Sequence, residues 1–121
     1  MKELIEKLKK RAESFLKIAK ISYKEKDYDI SMFSLEQAVQ LFLKAKILEF
    51  NVSFPKTHDI FELIEFLKKL NFKIKIEKYK EIIEKLNIAY ISSRYLPTSF
   101  SEKEVKKALE FVEKLKKTLW K

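Results

Sequence analysis

YDISMFSLEQAVQLFLKAKILEF, Tyr28 to Phe50, is apolar around most of a helical wheel. Leu35, Val39 and Phe42 fall on one side. Ile30, Leu41 and Leu48 fall on another, with Ala38 and Ala45 between them. The polar sector is narrow: Glu36, Gln37, Gln40 and Lys44. A helix of this kind has to be covered from more than one direction. Either it is the central helix of a bundle, or its second face meets another subunit.

Outward from this segment the periodicity stays helical. Leu4, Leu8, Ala12, Phe15, Leu16, Ala19 and Tyr23 form one stripe before it, ending at the polar break KEKDYD, where Asp27 or Asp29 is placed to cap the next helix. After it, Asn51 suits a left-handed stop and Pro55 prevents continuation. Thr57 reads as the next N-cap, with Asp59 and Glu62 in the first turn, and Ile60, Leu63, Ile64, Leu67 and Leu70 as the stripe. NFKIKI, residues 71–76, alternates like a strand but has no strand to pair with, so it reads as an extended connection. A fourth helix spans about Glu77 to Ser93, buried through Ile82, Ile83, Leu86, Ala89 and Tyr90, and Pro97 stops it. The fifth opens on a capping box, Ser101 with Glu104, and buries Val105, Ala108, Leu109, Val112, Leu115 and Leu119. The expected fold is all-α, an antiparallel up-and-down four-helix bundle with an additional helix, in a single domain over residues 1–121.

Composition removes several function classes. There is no cysteine, so no disulfide, thiol nucleophile or thiolate zinc site. There is no glycine, so neither a P-loop nor a dinucleotide fingerprint can form, and turns fall to Asn, Asp, Ser and Pro. No apolar run approaches the ~18–20 residues that span a bilayer, and MKELIEKLKKR lacks the apolar core of a signal peptide. The simple expectation is a cytoplasmic protein with no membrane contact. The net charge is +9. It suits a nucleic-acid or nucleotide partner. It equally suits a thermophile, archaeal-like surface in which Glu3–Lys7, Glu6–Lys10, Glu13–Lys17, Glu81–Lys85 and Glu110–Lys114 pair at i, i+4.

Of the 27 basic residues only Arg11 and Arg94 are arginine. Arg94 follows Ile83 and Tyr90 on one helical face, at the bundle's end. A guanidinium there either pairs with a carboxylate or the helix-end carbonyls of its own chain, or holds a phosphate or carboxylate in a bidentate grip. Tyr90 and Tyr95 stand ready to stack a base. His58, the single histidine, lies at a helix start beside Lys56 and Asp59, where it is either a bonded cap-region residue or part of a phosphate site. One histidine is no metal site, and no catalytic triad can be assembled; the sequence calls for no cofactor.

Three segments, FLKIAKISYKEKDYDISMFSLEQAVQLFLKAKILEFN (15–51), FPKTHDIFELIEFL (54–67) and AYISSRYLP (89–97), together resemble the HEPN domain. The resemblance covers nearly the whole chain. It implies a four-helix bundle with an extra helix, commonly a symmetric homodimer. It also implies kinship to the helical substrate-binding domains of nucleotidyltransferases, and often partnership with a minimal nucleotidyltransferase in a toxin–antitoxin pair. Some members bind nucleotides. Others are metal-independent ribonucleases using an Arg-x4–6-His motif. Here Arg94 matches the arginine, but no histidine follows it, so the catalytic pair is incomplete. The resemblance therefore implies an anion-binding role for Arg94 and, through the Thr-His-Asp motif, for His58, with no catalytic residue; Tyr95, Tyr90 and Lys56, placed beside them, complete the expected ligand residues of a nucleotide- or anion-binding module. A ribonuclease toxin and a basic nucleic-acid-binding bundle are the alternatives.

Overall fold

The computed structural model describes residues 1–95 and 99–121, the side chains of 93–95 apart. Among the described residues five helices follow one another: α1 (Lys2–Lys24), α2 (Tyr28–Leu48), α3 (Ile60–Lys69), α4 (Lys80–Tyr95) and α5 (Glu102–Leu119). Among the described residues a single 3₁₀ turn, Glu77–Tyr79, leads into α4; before it Asn71 lies in a turn and 72–76 carry no regular secondary structure. The fold is all-α, as the periodicity predicts. Among the described residues no helix is long and apolar enough to cross a membrane.

Of the two readings of the apolar second helix, the structure realises the first. α2 packs along the length of α1 and also against α3, α4 and α5. Leu35, Ala38, Val39, Leu43 and Ala45 have no exposed surface, and Phe42 almost none. On the second face of α2 Leu48 is buried, Leu41 partly buried and Ile30 exposed. Ala12 and Ala19 of α1 are also fully buried. Their small side chains let α1 approach closely enough for the Ser31 hydroxyl to donate to the Ala19 carbonyl at 2.8 Å.

Several details depart from the sequence reading. Ile5, not Leu4, is the buried residue in the first turns of α1; Leu4 is exposed. Phe111 enters the core where Leu109 was expected, and Leu109 packs at its edge. α3 is capped by Asp59 rather than Thr57. The Asp59 carboxylate accepts the Phe61 N–H at 2.9 Å, while Thr57 Oγ accepts from the Asp59 N–H at 3.1 Å. Both are cap-type residues, and the extended backbone of Asp59 (φ −77°, ψ 115°) settles which one serves. Asn51 and Asn71 take the left-handed conformation, and so does Lys26, which costs about 1 kcal/mol without glycine. The capping box of α5 forms as expected, Ser101 N–H to Glu104 at 2.9 Å and Glu104 N–H to Ser101 Oγ at 3.1 Å.

None of the five i, i+4 pairs expected from the sequence is among the ion pairs of the described residues; their members pair instead at i, i+3, as Glu6 with Lys9 at 3.9 Å and Glu110 with Lys107 at 3.6 Å, or between elements. Glu13 takes Lys116 at 2.8 Å, Glu110 takes Lys78 at 3.5 Å, and Lys85 takes Glu104 at 3.0 Å. The C-terminus is tied down by Trp120, whose ring packs 5.9 Å from Phe42 and whose Nε1–H donates to Glu49 at 2.8 Å.

Candidate functional site

One corner of the bundle gathers a buried carboxylate and its amide partners. It lies where the narrow polar sector of α2 meets the connection before α3 and the second half of α4. Phe33, Gln37, Gln40, Leu41, Lys44, His58 and Tyr90 line a small cleft there of about 220 Å³.

The cleft rests on a buried hydrogen-bonded group. Glu36 has no exposed surface and Gln40 is 5% exposed. The Gln37 amide donates to one Glu36 oxygen and the Gln40 amide to the other, both at 2.7 Å. Burying a carboxylate without donors is expensive, and these two charge-assisted bonds offset part of that cost. The Gln40 amide donates a second time, to the His58 carbonyl at 2.6 Å. This bond fixes the backbone of the connection to α2.

On the other side of His58 the chain is fixed by the α3 cap. Besides the Phe61 N–H, the Asp59 carboxylate accepts from the Asn87 side-chain amide of α4 at 3.0 Å, and Asn87 Oδ1 accepts from the Ile60 N–H at 3.0 Å. Between these two anchors the imidazole of His58, itself exposed, lies flat on Tyr90. Their ring centroids are 4.4 Å apart and their planes 21° apart. Lys44 stands at the same cleft with its ammonium 5.3 Å from the Phe54 ring. Burial holds its pKa below the ordinary lysine value, against the opposing pull of the Glu36 charge.

The structure thus brings together two of the residues singled out in the sequence, His58 and Tyr90. Lys56 is exposed on the same connection, two residues before His58, and does not line the cleft. Arg94 and Tyr95 fall in the last turn of α4; their side chains, and the Pro97 stop, lie outside the described residues. The sequence reading missed Gln37, Gln40 and Lys44 as cleft residues and Glu36 as a buried carboxyl group. The signal for them was the narrowness of the polar sector in an otherwise apolar helix.

A larger groove of about 660 Å³ runs between α4 and α5, past Lys78, Lys85, Lys103, Glu104, Lys107 and Glu110. Two of its carboxylates are already engaged: Glu104 by Lys85, and Glu110 by Lys78, by Lys107 and by the Tyr79 hydroxyl at 2.8 Å. It is a mixed-charge surface without an aromatic wall, so the smaller cleft is the stronger candidate. Among the described residues no group of three or more His, Cys, Asp or Glu side chains is placed to hold a metal ion.

A helical bundle with a central apolar helix, and a polar, aromatic-walled corner at the Thr-His-Asp start of α3, defines a class of small α-helical domains. The HEPN domain model matches residues 5–120, and the chain belongs to that family. Among solved structures it is similar to TT1696 from Thermus thermophilus, at 23% sequence identity and a TM-score of 0.80, covering 95% of this chain and 94% of that one. At that identity the likeness establishes the shared fold. A search of curated proteins finds no match.

Proposed function

We propose that this HEPN chain is a non-catalytic module that binds a nucleotide or related anionic ligand at the corner of His58, Tyr90 and Lys44. The observation that carries the reading is the His58–Tyr90 stack beside Lys44 at the cleft. It joins an aromatic surface to a cation, the pair of features a base and its phosphates require. Lys56, two residues before His58, and Arg94 and Tyr95, one turn beyond Tyr90 on α4, extend the ligand set. The absence of any histidine after Arg94 supports binding without RNA cleavage. Family kinship supports a homodimer acting as partner to a nucleotidyltransferase in a toxin–antitoxin type pair.

Calorimetric titration with ATP, GTP and short RNA oligonucleotides tests the binding. Wild type is expected to bind, and Tyr90→Ala and Arg94→Ala to bind roughly tenfold or more weakly, the scale of one charge-assisted contact. No binding by wild type, or equal binding by both variants, would remove the reading. Light scattering tests the dimer: a monomer mass at working concentration excludes it.

A further inference from the structure

The two glutamines of the cleft differ from ordinary surface amides because both hydrogen-bond to the buried Glu36 carboxyl group. The Gln40 nitrogen has two protons and both are engaged, one by the Glu36 carboxylate and one by the His58 carbonyl. The His58 carbonyl cannot donate, so a flipped amide would set oxygen against oxygen there. The orientation is therefore determined by chemistry. It leaves Gln40 Oε1 as the group with no hydrogen-bond partner, and that atom is buried. A buried acceptor without a donor is uncommon in a native core. Here it belongs to a residue that lines the cleft, beside the exposed imidazole that covers Tyr90.

The geometry points to a base subsite: we propose that the cleft takes an amino-bearing heteroaromatic ring, stacked on Tyr90, whose exocyclic N–H donates to Gln40 Oε1. This rests on the nucleotide-binding reading above and names the part of the ligand the cleft selects. Size agrees with it. About 220 Å³ is below the roughly 300–1,000 Å³ of pockets that enclose a whole drug-sized ligand. The cleft fits a ring, and sugar and phosphates remain outside with the lysines. Oε1 exposes no surface in the unliganded chain, so the proposal includes a side-chain movement at the cleft, which we assign to the exposed His58 imidazole that shares the Tyr90 face. Donor and acceptor chemistry sets the preference. An adenine-type amino group satisfies Oε1; a ring with hydrogen at that position leaves it unpaired; a ring with a carbonyl there meets it oxygen to oxygen.

The test is a calorimetric comparison on the full chain of ATP, purine riboside triphosphate, which lacks the amino group, and ITP, which carries a carbonyl in its place. Wild type is expected to bind ATP about tenfold more tightly than purine riboside triphosphate, with ITP no tighter than the latter. Gln40→Met, close in volume and without the acceptor, is expected to bind the three alike at the weaker level. Equal binding of all three by wild type overturns the base subsite while leaving the anion site standing. Absence of binding by any of the three overturns the nucleotide reading itself. The comparison among ligands on wild type needs no variant, so it decides the matter even if Gln40→Met is unstable.

Discussion

Asp59→Ala removes one carboxylate that does two jobs. It caps α3 through the Phe61 N–H and it ties the cap to α4 through the Asn87 amide. Loss of an N-cap costs typically about 1 kcal/mol. Loss of a partly buried side-chain hydrogen bond adds about 1 kcal/mol. The sum is about 2 kcal/mol, which for a urea slope of about 2 kcal/mol per molar moves the unfolding midpoint down by about 1 M. Thr57→Ala removes only an acceptor for the Asp59 N–H and is expected to cost roughly a quarter as much, about 0.5 kcal/mol. Asp59→Asn keeps the capping oxygen and should retain most of the stability. Urea titrations followed by circular dichroism measure all three. A double-mutant cycle between Asp59 and Asn87 should return a coupling near 1 kcal/mol. If Thr57→Ala shifts the midpoint as far as Asp59→Ala does, the assignment of the cap is wrong. If the cycle returns zero, the bridge to α4 contributes nothing and does not hold the His58 connection in place.

Charge and packing each carry a further expected outcome. The Glu104 carboxyl is held below its ordinary pKa, first by the Ser101 N–H bond, against a desolvation penalty and with help from Lys85. A depressed folded-state value means the unfolded chain binds more protons on the acid side. This stabilisation is therefore full above the ordinary carboxylate range and lost as pH falls through the folded pKa. Denaturation of Glu104→Gln across the acid limb should show a shallower loss than wild type, and parallel limbs would contradict the linkage. Ala19→Leu places a large side chain where α1 and α2 leave no exposed surface, and is expected to cost roughly 1–3 kcal/mol in a urea titration. An unchanged midpoint would mean the two helices are not closely packed at Ala19.

The helices were legible because apolar spacing alone specifies them, and α5 was legible to the residue because a capping box needs two residue types at a fixed interval. Finer choices were not. Leu4 and Ile5 are neighbours about 100° apart on the wheel, and either completes the stripe; which one is buried depends on how α1 rolls against α2. Leu109 and Phe111, two positions and about 200° apart, flank the stripe of Val105, Ala108, Val112 and Leu115 on opposite sides, and the roll of α5 decides which one enters the core. Thr57 and Asp59 are both cap residues, and only the backbone conformation chooses. The site was legible in part. His58 and Tyr90 were each noticed, but they are 32 positions apart and no sequence pattern states that their rings meet. Glu36 and Gln40 read as the solvent side of α2 because their types are polar, whereas both are buried and hydrogen-bond to one another inside the bundle.

That last inversion bears on how the corner works. Replacing a buried polar group by well-packed apolar side chains is often neutral or stabilising, so Glu36 with its two amides is not the cheapest way to fill the space under α3 and α4. What it supplies is position. Through Gln40 it holds the carbonyl of His58, and the next residue along, Asp59, is held by the α3 cap and by Asn87. The backbone of a connecting segment is thereby fixed on both sides of one residue while its side chain stays exposed. A loop held in this way loses little further freedom when a ligand arrives, and the entropy usually lost in ordering a binding loop has already been met in folding. What stays exposed on that fixed backbone is the imidazole stacked on Tyr90. The polar sector of the most buried helix therefore connects the core to the cleft: the same amide that completes the fold of α2 determines where His58 stands and which oxygen is left for a ligand.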